Sequence, residues 1–246
     1  MSPGTWQLPA FVAIDAFFIY FFLLRSFPTQ QDFNTAIVFG LGYAVSIIAV
    51  LYIRSHGISV KFESNLSSKG AKITLGLAAV LAAAIAFSSR QIFSVVFLPR
   101  GSVLSGVPSN VSDAIYNFML VAPSEEFLVL ALLMALIYVG RRGGTLSFLQ
   151  DPYVAAGVAR LGWASLHSIL AYGNNLQAIM IAAAMGFAFT VVMFYTGSVL
   201  SAIILHGTWN ATLLLLPTFG ALSLAPGMAV AGVFAIYIFE SNEGMA

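Results

Sequence analysis

Apolar residues run in long blocks separated by short polar stretches. Eight blocks can be laid out, at about 8–27, 34–53, 73–98, 113–139, 153–172, 175–196, 198–217 and 220–239. Each approaches the roughly 20 residues that a helix needs to cross a bilayer core. A backbone in lipid must satisfy its own hydrogen bonds, so these blocks predict helices. The third is the least regular, because Ser88-Ser89-Arg90-Gln91 interrupts it. A shorter span followed by an interfacial helix is one form it can take. The pattern predicts an all-α, polytopic transmembrane bundle of about eight helices. No fixed-period repeat or low-complexity linker divides the chain, so residues 1–246 read as a single membrane-embedded domain.

Composition narrows this further. The chain is 60% apolar and 8% charged, against roughly 25% charged in a typical soluble domain. That is too little charge to solvate the surface of a soluble fold of this size. The net charge of +1 gives no sign of a nucleic-acid partner. The chain has no Cys, which removes disulfides, thiolate catalysis and Cys-ligated zinc together. The first block lacks a basic leader, carries Asp15 and runs on to Arg25, so it reads as a mature transmembrane helix rather than a cleaved signal.

Cationic residues in the loops suggest an orientation. Arg54, Lys61, Lys69, Lys72, Arg141 and Arg142 fall on one side of the layout; Arg25, Arg90 and Arg100 fall on the other. The expected arrangement is multi-pass with both termini in the cytoplasm.

Polar groups inside the blocks are costly in lipid unless they are paired or face a cavity. The fourth block carries Glu125 and Glu126, the fifth carries His167, and the seventh carries His206 and Asn210. Glu125 and His167 each stand 14 residues from the cytoplasmic end of their block, or roughly 21 Å at 1.5 Å per residue. His206 and Asn210 come out at roughly 12 and 18 Å by the same count. These polar groups therefore fall in one slab inside the hydrocarbon. His206 and Asn210, four residues apart, share a helix face. Glu125 and Glu126 point about 100° apart, so at most one can aim straight into a shared site. Asp15, Arg90 and Arg160 read as structural, although Arg160 lies two turns before His167 and can share its face.

The available chemistry is water activation. A buried carboxylate suits a general base, a His beside it can orient or share the proton, and Asn with a second His can stabilise an oxyanion. Glu125, His167 and His206 also make a three-ligand zinc set with an open fourth position. Ser165 and Ser168 flank His167, but no Ser nucleophile stands out. Each polar group taken alone is also what a helix–helix hydrogen bond or a transporter's proton relay would use. The residues leave open a protease, an inactive membrane scaffold or substrate-binding protein, and a proton-coupled transporter. The paired half-helices or repeat symmetry of a transporter are not evident.

At these residues the sequence resembles the CPBP family of intramembrane proteases, also called the Abi or CAAX-protease-like family. The segment from Thr196-Gly197-Ser198 through His206 to Asn210 is similar to the family's T-G-S…A-I…H-x-x-x-N element. Ala122-Pro123 followed by Glu125-Glu126 is similar to its E-E-x-x-x-R element, and Trp163 to His167 to F-x-x-x-H with Trp for Phe. Residues 113–217 hold this motif-bearing core. The resemblance implies a glutamate and two histidines activating water to cleave a peptide bond in the membrane. It makes Glu125 the base, His167 its partner, and His206 with Asn210 the oxyanion donors. No cofactor is needed on this route; the family's metalloprotease label keeps zinc as the alternative. The implied substrate is a membrane protein or lipidated peptide, since related endopeptidases remove the tripeptide after a prenylated Cys. Two departures stand out. The motif Arg falls at Leu130, where another cation, Arg160 or Arg141, is expected to fill the place if Leu130 faces inward. Ala-Pro also stands one residue nearer the Glu pair than the motif leads one to expect, which keeps Glu126 as the alternative base.

Overall fold

The computed structural model describes residues 68–93, 109–167 and 176–243. Every regular element among them is helical: α1 (Lys69–Phe93), α2 (Ser109–Tyr116), a π-turn (Asn117–Val121), α3 (Ala122–Arg141), a 3-10 segment (Gly144–Gln150), α4 (Pro152–His167), α5 (Leu176–Thr196), α6 (Val199–Phe219), a second 3-10 segment (Gly220–Leu224) and α7 (Ala225–Glu243). Polar side chains open two of the helices. The Ser68 hydroxyl accepts from the Ala71 N–H at 3.1 Å ahead of α1. Asp151 Oδ1 accepts from Tyr153 and Val154 N–H at 2.8 and 3.0 Å ahead of α4, and Pro152 needs no partner at the first helical position.

The run Ser88-Ser89 does not break α1. Both hydroxyls donate back to carbonyls of their own helix, Ser88 to Ala84 and Ser89 to Ala86, each at 2.9 Å. Self-satisfied hydroxyls of this kind are tolerated inside an apolar helix. α1 therefore runs through these residues to Phe93 without a break.

The fourth block has an interruption of another kind. Pro123 lacks an N–H and its ring would press on the carbonyl four residues earlier. The chain widens just before it: Asn117–Val121 is a π-turn, closed by the Ala122 N–H donating to the Asn117 carbonyl. The helical run continues through the wide turn from Val111 to Arg141.

Among the described residues, four runs are long and apolar enough to cross a membrane: Lys69–Ser89, Val111–Arg141, Ile179–Thr196 and Val199–Ile238. The protein is thus an all-α, polytopic membrane bundle, but the count falls short of the eight expected blocks. The blocks at 8–27 and 34–53 lie outside the described residues. The block at 153–172 is described only as far as His167, leaving the 16-residue α4. The last two blocks are α6 and α7, joined through Gly220 at φ +52 without a polar loop, so that they make up a single apolar run of 40 residues.

α6 is the central helix. Every residue from Leu205 to Leu214 is buried, as expected of a helix enclosed on all sides. α1, α2, α3 and α5 pack around it, and α4 packs between α3 and α5. One apolar cluster joins Leu75 and Ala79 of α1, Phe127 and Leu133 of α3, Ala159 and Trp163 of α4, Phe189 of α5 and Leu205 of α6. α7 lies on α1 along small residues. A Cβ at Gly227 would stand 2.7 Å from Ala83 Cβ and 2.9 Å from the Ala79 carbonyl oxygen, whereas one at Gly76 would meet Ala231 at 3.5 Å. Without hydrophobic pressure between helices in lipid, such close backbone approach supplies the packing.

Candidate active site

The turn between α5 and α6 aims the site's central helix. Gly197 takes φ +65, and Thr196 donates its hydroxyl to the Val192 carbonyl at 2.9 Å. The same Thr196 oxygen lies 2.7 Å from Ser201 Oγ. The Thr-Gly-Ser stretch thereby ties the end of α5 to the first turn of α6, and His206 follows less than two turns later. Gly207 lets the π-turn close on this helix: its Cβ would fall 2.7 Å from the Phe118 ring.

His206 and the Glu pair meet. His206 Nδ1 lies 2.8 Å from Glu126 Oε1, and His206 Nε2 lies 3.4 Å from Glu125 Oε2. The two adjacent carboxylates thus address opposite edges of one imidazole. Trp163 meets that ring edge-on, with centroids 5.6 Å apart, and Phe189 stacks near it at 6.1 Å. The apolar walls fix the ring plane, and the carboxylates fix its rotation. Asn210 is buried one turn further along the same face of α6.

Arg160, read from the sequence as structural first and as one of two cations that could fill the place of the motif Arg, joins the site. From α4 it forms a two-pronged ion pair with Glu126, Nη1 donating to Oε1 at 2.9 Å and Nη2 to Oε2. Its Nε donates to Thr190 Oγ1 of α5 at 2.8 Å, and its guanidinium lies over Trp163 at 5.8 Å. Arg160 and Glu126 are both about 1% exposed at the side chain. Two signals pointed to it: its place two turns before His167 and the missing motif Arg at Leu130. Leu130, where the motif Arg would stand, is buried, and Arg141 is exposed. Of the two cations expected there, Arg160 is the one that reaches the Glu pair.

His167 closes α4; its side chain, like Ser168, lies outside the described residues. The Ser165 hydroxyl donates to the Leu161 carbonyl at 2.8 Å on an exposed face, so it does not serve as a nucleophile here. Asp15 and Arg90 also fall outside the described side chains.

Of the three proposed zinc ligands, Glu125 and His206 lie together, while the side chain of His167 lies outside the described residues. Both oxygens of Glu126 are held by Arg160, and both ring nitrogens of His206 face carboxylates. Among the described residues, no three His, Cys, Asp or Glu side chains form a metal-binding group. The metalloprotease expectation, with Glu125, His167 and His206 as ligands, finds no support in this geometry.

Residues 107–212 match the model of a protein family described as Type II CAAX prenyl endopeptidase Rce1-like. This is the CAAX-protease type that the motifs resemble, and the matched stretch includes Glu125, Glu126, Arg160, His167, His206 and Asn210. Neither the curated proteins nor the solved structures contain a match to the chain.

Proposed function

We propose that this chain is an intramembrane endopeptidase of the CAAX-protease type, hydrolysing a peptide bond with water activated by Glu125. The observation that carries the proposal is the buried Glu125–His206–Glu126–Arg160 constellation, inside the segment that matches the family model.

The roles follow from the contacts. Glu126 is held by Arg160 and can only accept, so His206 Nδ1 donates to it. That leaves Nε2 facing Glu125. With His206 protonated, two carboxylates, one guanidinium and one imidazolium sum to zero charge, the economical state for a dry site. Glu125 takes a proton from water as the oxygen attacks the scissile carbonyl carbon. The Nε2–H of His206 and the Asn210 amide donate to the oxyanion of the tetrahedral intermediate. As the C–N bond breaks, the proton on Glu125 passes to the leaving nitrogen, giving a new carboxylic acid and a new amine. His167, as the resemblance implies, orients the water with Glu125. Substrates are membrane proteins or lipidated peptides that reach the site from the bilayer. About eight spans and cytoplasmic termini complete the proposed layout.

The test is cleavage of a fluorogenic farnesylated peptide ending in a CAAX sequence, and of a helical membrane peptide, by the full chain in liposomes. Wild type should cleave at least one and Glu125→Gln neither. Equal cleavage by both proteins would refute the role of Glu125. No cleavage by either would favour an inactive scaffold of the same fold.

A further inference from the structure

The motif reading leaves Glu126 without its arginine, because position 130 is Leu. Position 130 stands one turn along α3 from Glu126, on the same face, where an arginine would reach that carboxylate within one helix. The structure supplies the charge from elsewhere. We propose that Arg160 is the positioning residue of this site: from α4 it replaces an arginine at position 130, holds the Glu126 carboxylate, and through it fixes the His206 ring. This rests on the proposed hydrolase for its meaning, but its placement stands on geometry alone.

Three independent features show a place built for Arg160. Its guanidinium is spent on two partners from two other helices, Glu126 of α3 and Thr190 of α5. Thr190 Oγ1 is itself held, donating to the Gly186 carbonyl at 3.1 Å. Gly186 clears the path, since a Cβ there would come 2.8 Å from Arg160 Cδ and 3.3 Å from its Nε. An arginine that merely spanned the bundle would need none of these. The fork geometry also matters. A guanidinium meets both oxygens of a carboxylate in one plane, so it sets the rotation of Glu126 and not only its charge. Glu126 Oε1 then receives both Arg160 Nη1 and His206 Nδ1, and the imidazole inherits that alignment. Nε2 is left directed at Glu125.

An arginine relocated within α3 tests this directly. Four full-length proteins are compared: wild type, Arg160→Leu, Leu130→Arg/Arg160→Leu and Arg160→Lys. The chain has three His, so the ring nitrogens of selectively ¹⁵N-labelled protein in micelles can be assigned by single substitutions. Wild type should show a His206 Nδ1–H in a strong hydrogen bond. Arg160→Leu should lose that signal and lower the unfolding midpoint. The double variant should regain the signal and part of the midpoint, the Thr190 bond being lost. Arg160→Lys keeps the charge and loses the fork. It should fold and cleave the farnesylated peptide about 10²-fold more slowly in kcat, with KM little changed, as expected for a misplaced reacting group. An unchanged His206 signal in Arg160→Leu would overturn the proposal. So would a double variant no better than Arg160→Leu in both signal and midpoint, or wild-type cleavage by Arg160→Lys. If wild type cleaves nothing, the hydrolase reading fails, while the His206 signal still decides the role of Arg160.

Discussion

Glu125 and Glu126 are neighbours with the same chemistry, yet their isosteric amides should behave very differently. Glu126→Gln removes the charge opposite Arg160, where both side chains are about 1% exposed. Breaking a buried ion pair by deleting one partner costs about 3–5 kcal/mol, because the other charge is left uncompensated; exposed pairs are worth at most about 1 kcal/mol. The burial here puts Glu126 in the first class. The amide adds a second penalty of the same origin. Its one oxygen must serve Arg160 and His206 Nδ1, and its NH2 then faces the guanidinium donors. Glu125→Gln also removes a buried charge, but it leaves the fork of Arg160 on Glu126 intact. Glu126→Gln should therefore be the more destabilising of the two swaps, by about 1 kcal/mol or more. Activity should rank them differently. Glu125→Gln keeps the fold and abolishes cleavage, whereas Glu126→Gln lowers activity through loss of the folded state as well. The assay is reversible unfolding in mixed micelles, followed by the fluorescence of Trp163 beside the ring, with cleavage measured on the same preparations. Equal stability losses for the two variants would refute the division of labour between the carboxylates, as would a neutral Glu126→Gln.

His206→Ala and Asn210→Ala should each lower the cleavage rate by about 10²–10³-fold, the range for single oxyanion donors; a smaller loss in Asn210→Ala, measured at saturating substrate, would remove it from that role. A chelator such as phenanthroline should leave the rate of wild type unchanged, as the proposed activation of water by Glu125 needs no metal; reversible inhibition restored by zinc would refute this. Gly227→Ala should destabilise the α1–α7 contact by about 1–3 kcal/mol, the usual cost of overpacking, while Gly76→Ala should be nearly neutral, because its Cβ meets ordinary contact distances; thermal unfolding of the two variants compares them directly.

The site was legible in outline because carboxylates and imidazoles inside apolar blocks are costly enough to need a reason. Glu125, Glu126, His206 and Asn210 stood out on that ground. Their pairing did not. Adjacent residues on a helix point about 100° apart, and which of them meets a given neighbour depends on how α3 is rotated against α4 and α6. Arg160 could be named only as one of two alternatives, for a related reason. A long cationic side chain in an apolar run can snorkel to the interface, and nothing in the order of residues says that its partner lies 34 positions earlier. The boundary between the last two blocks was harder to read. Gly220 turns the chain without a polar loop, so α6 and α7 follow one another in a single apolar run. Ser88-Ser89 looked like a break and is not one, because serine hydroxyls can be satisfied by their own helix.

The wide turn at Asn117–Val121 has a bearing on how this chain tolerates changes in length. A π-turn holds one more residue than an α-turn of the same reach, and here it sits immediately upstream of Ala122-Pro123, the pair that stands one residue nearer the carboxylates than the motif leads one to expect. Deleting a single residue within 117–121 would let the turn relax to regular helix. α2 would keep its rotation about the axis, and Glu125, Glu126 and the rest of α3 their register against α6 and α4. Deleting a single residue between Glu126 and Arg141 has no such outlet and would rotate half the helix out of its packing. The turn acts as an expansion joint, able to absorb the gain or loss of one residue on the approach to the site without passing it on to the carboxylates.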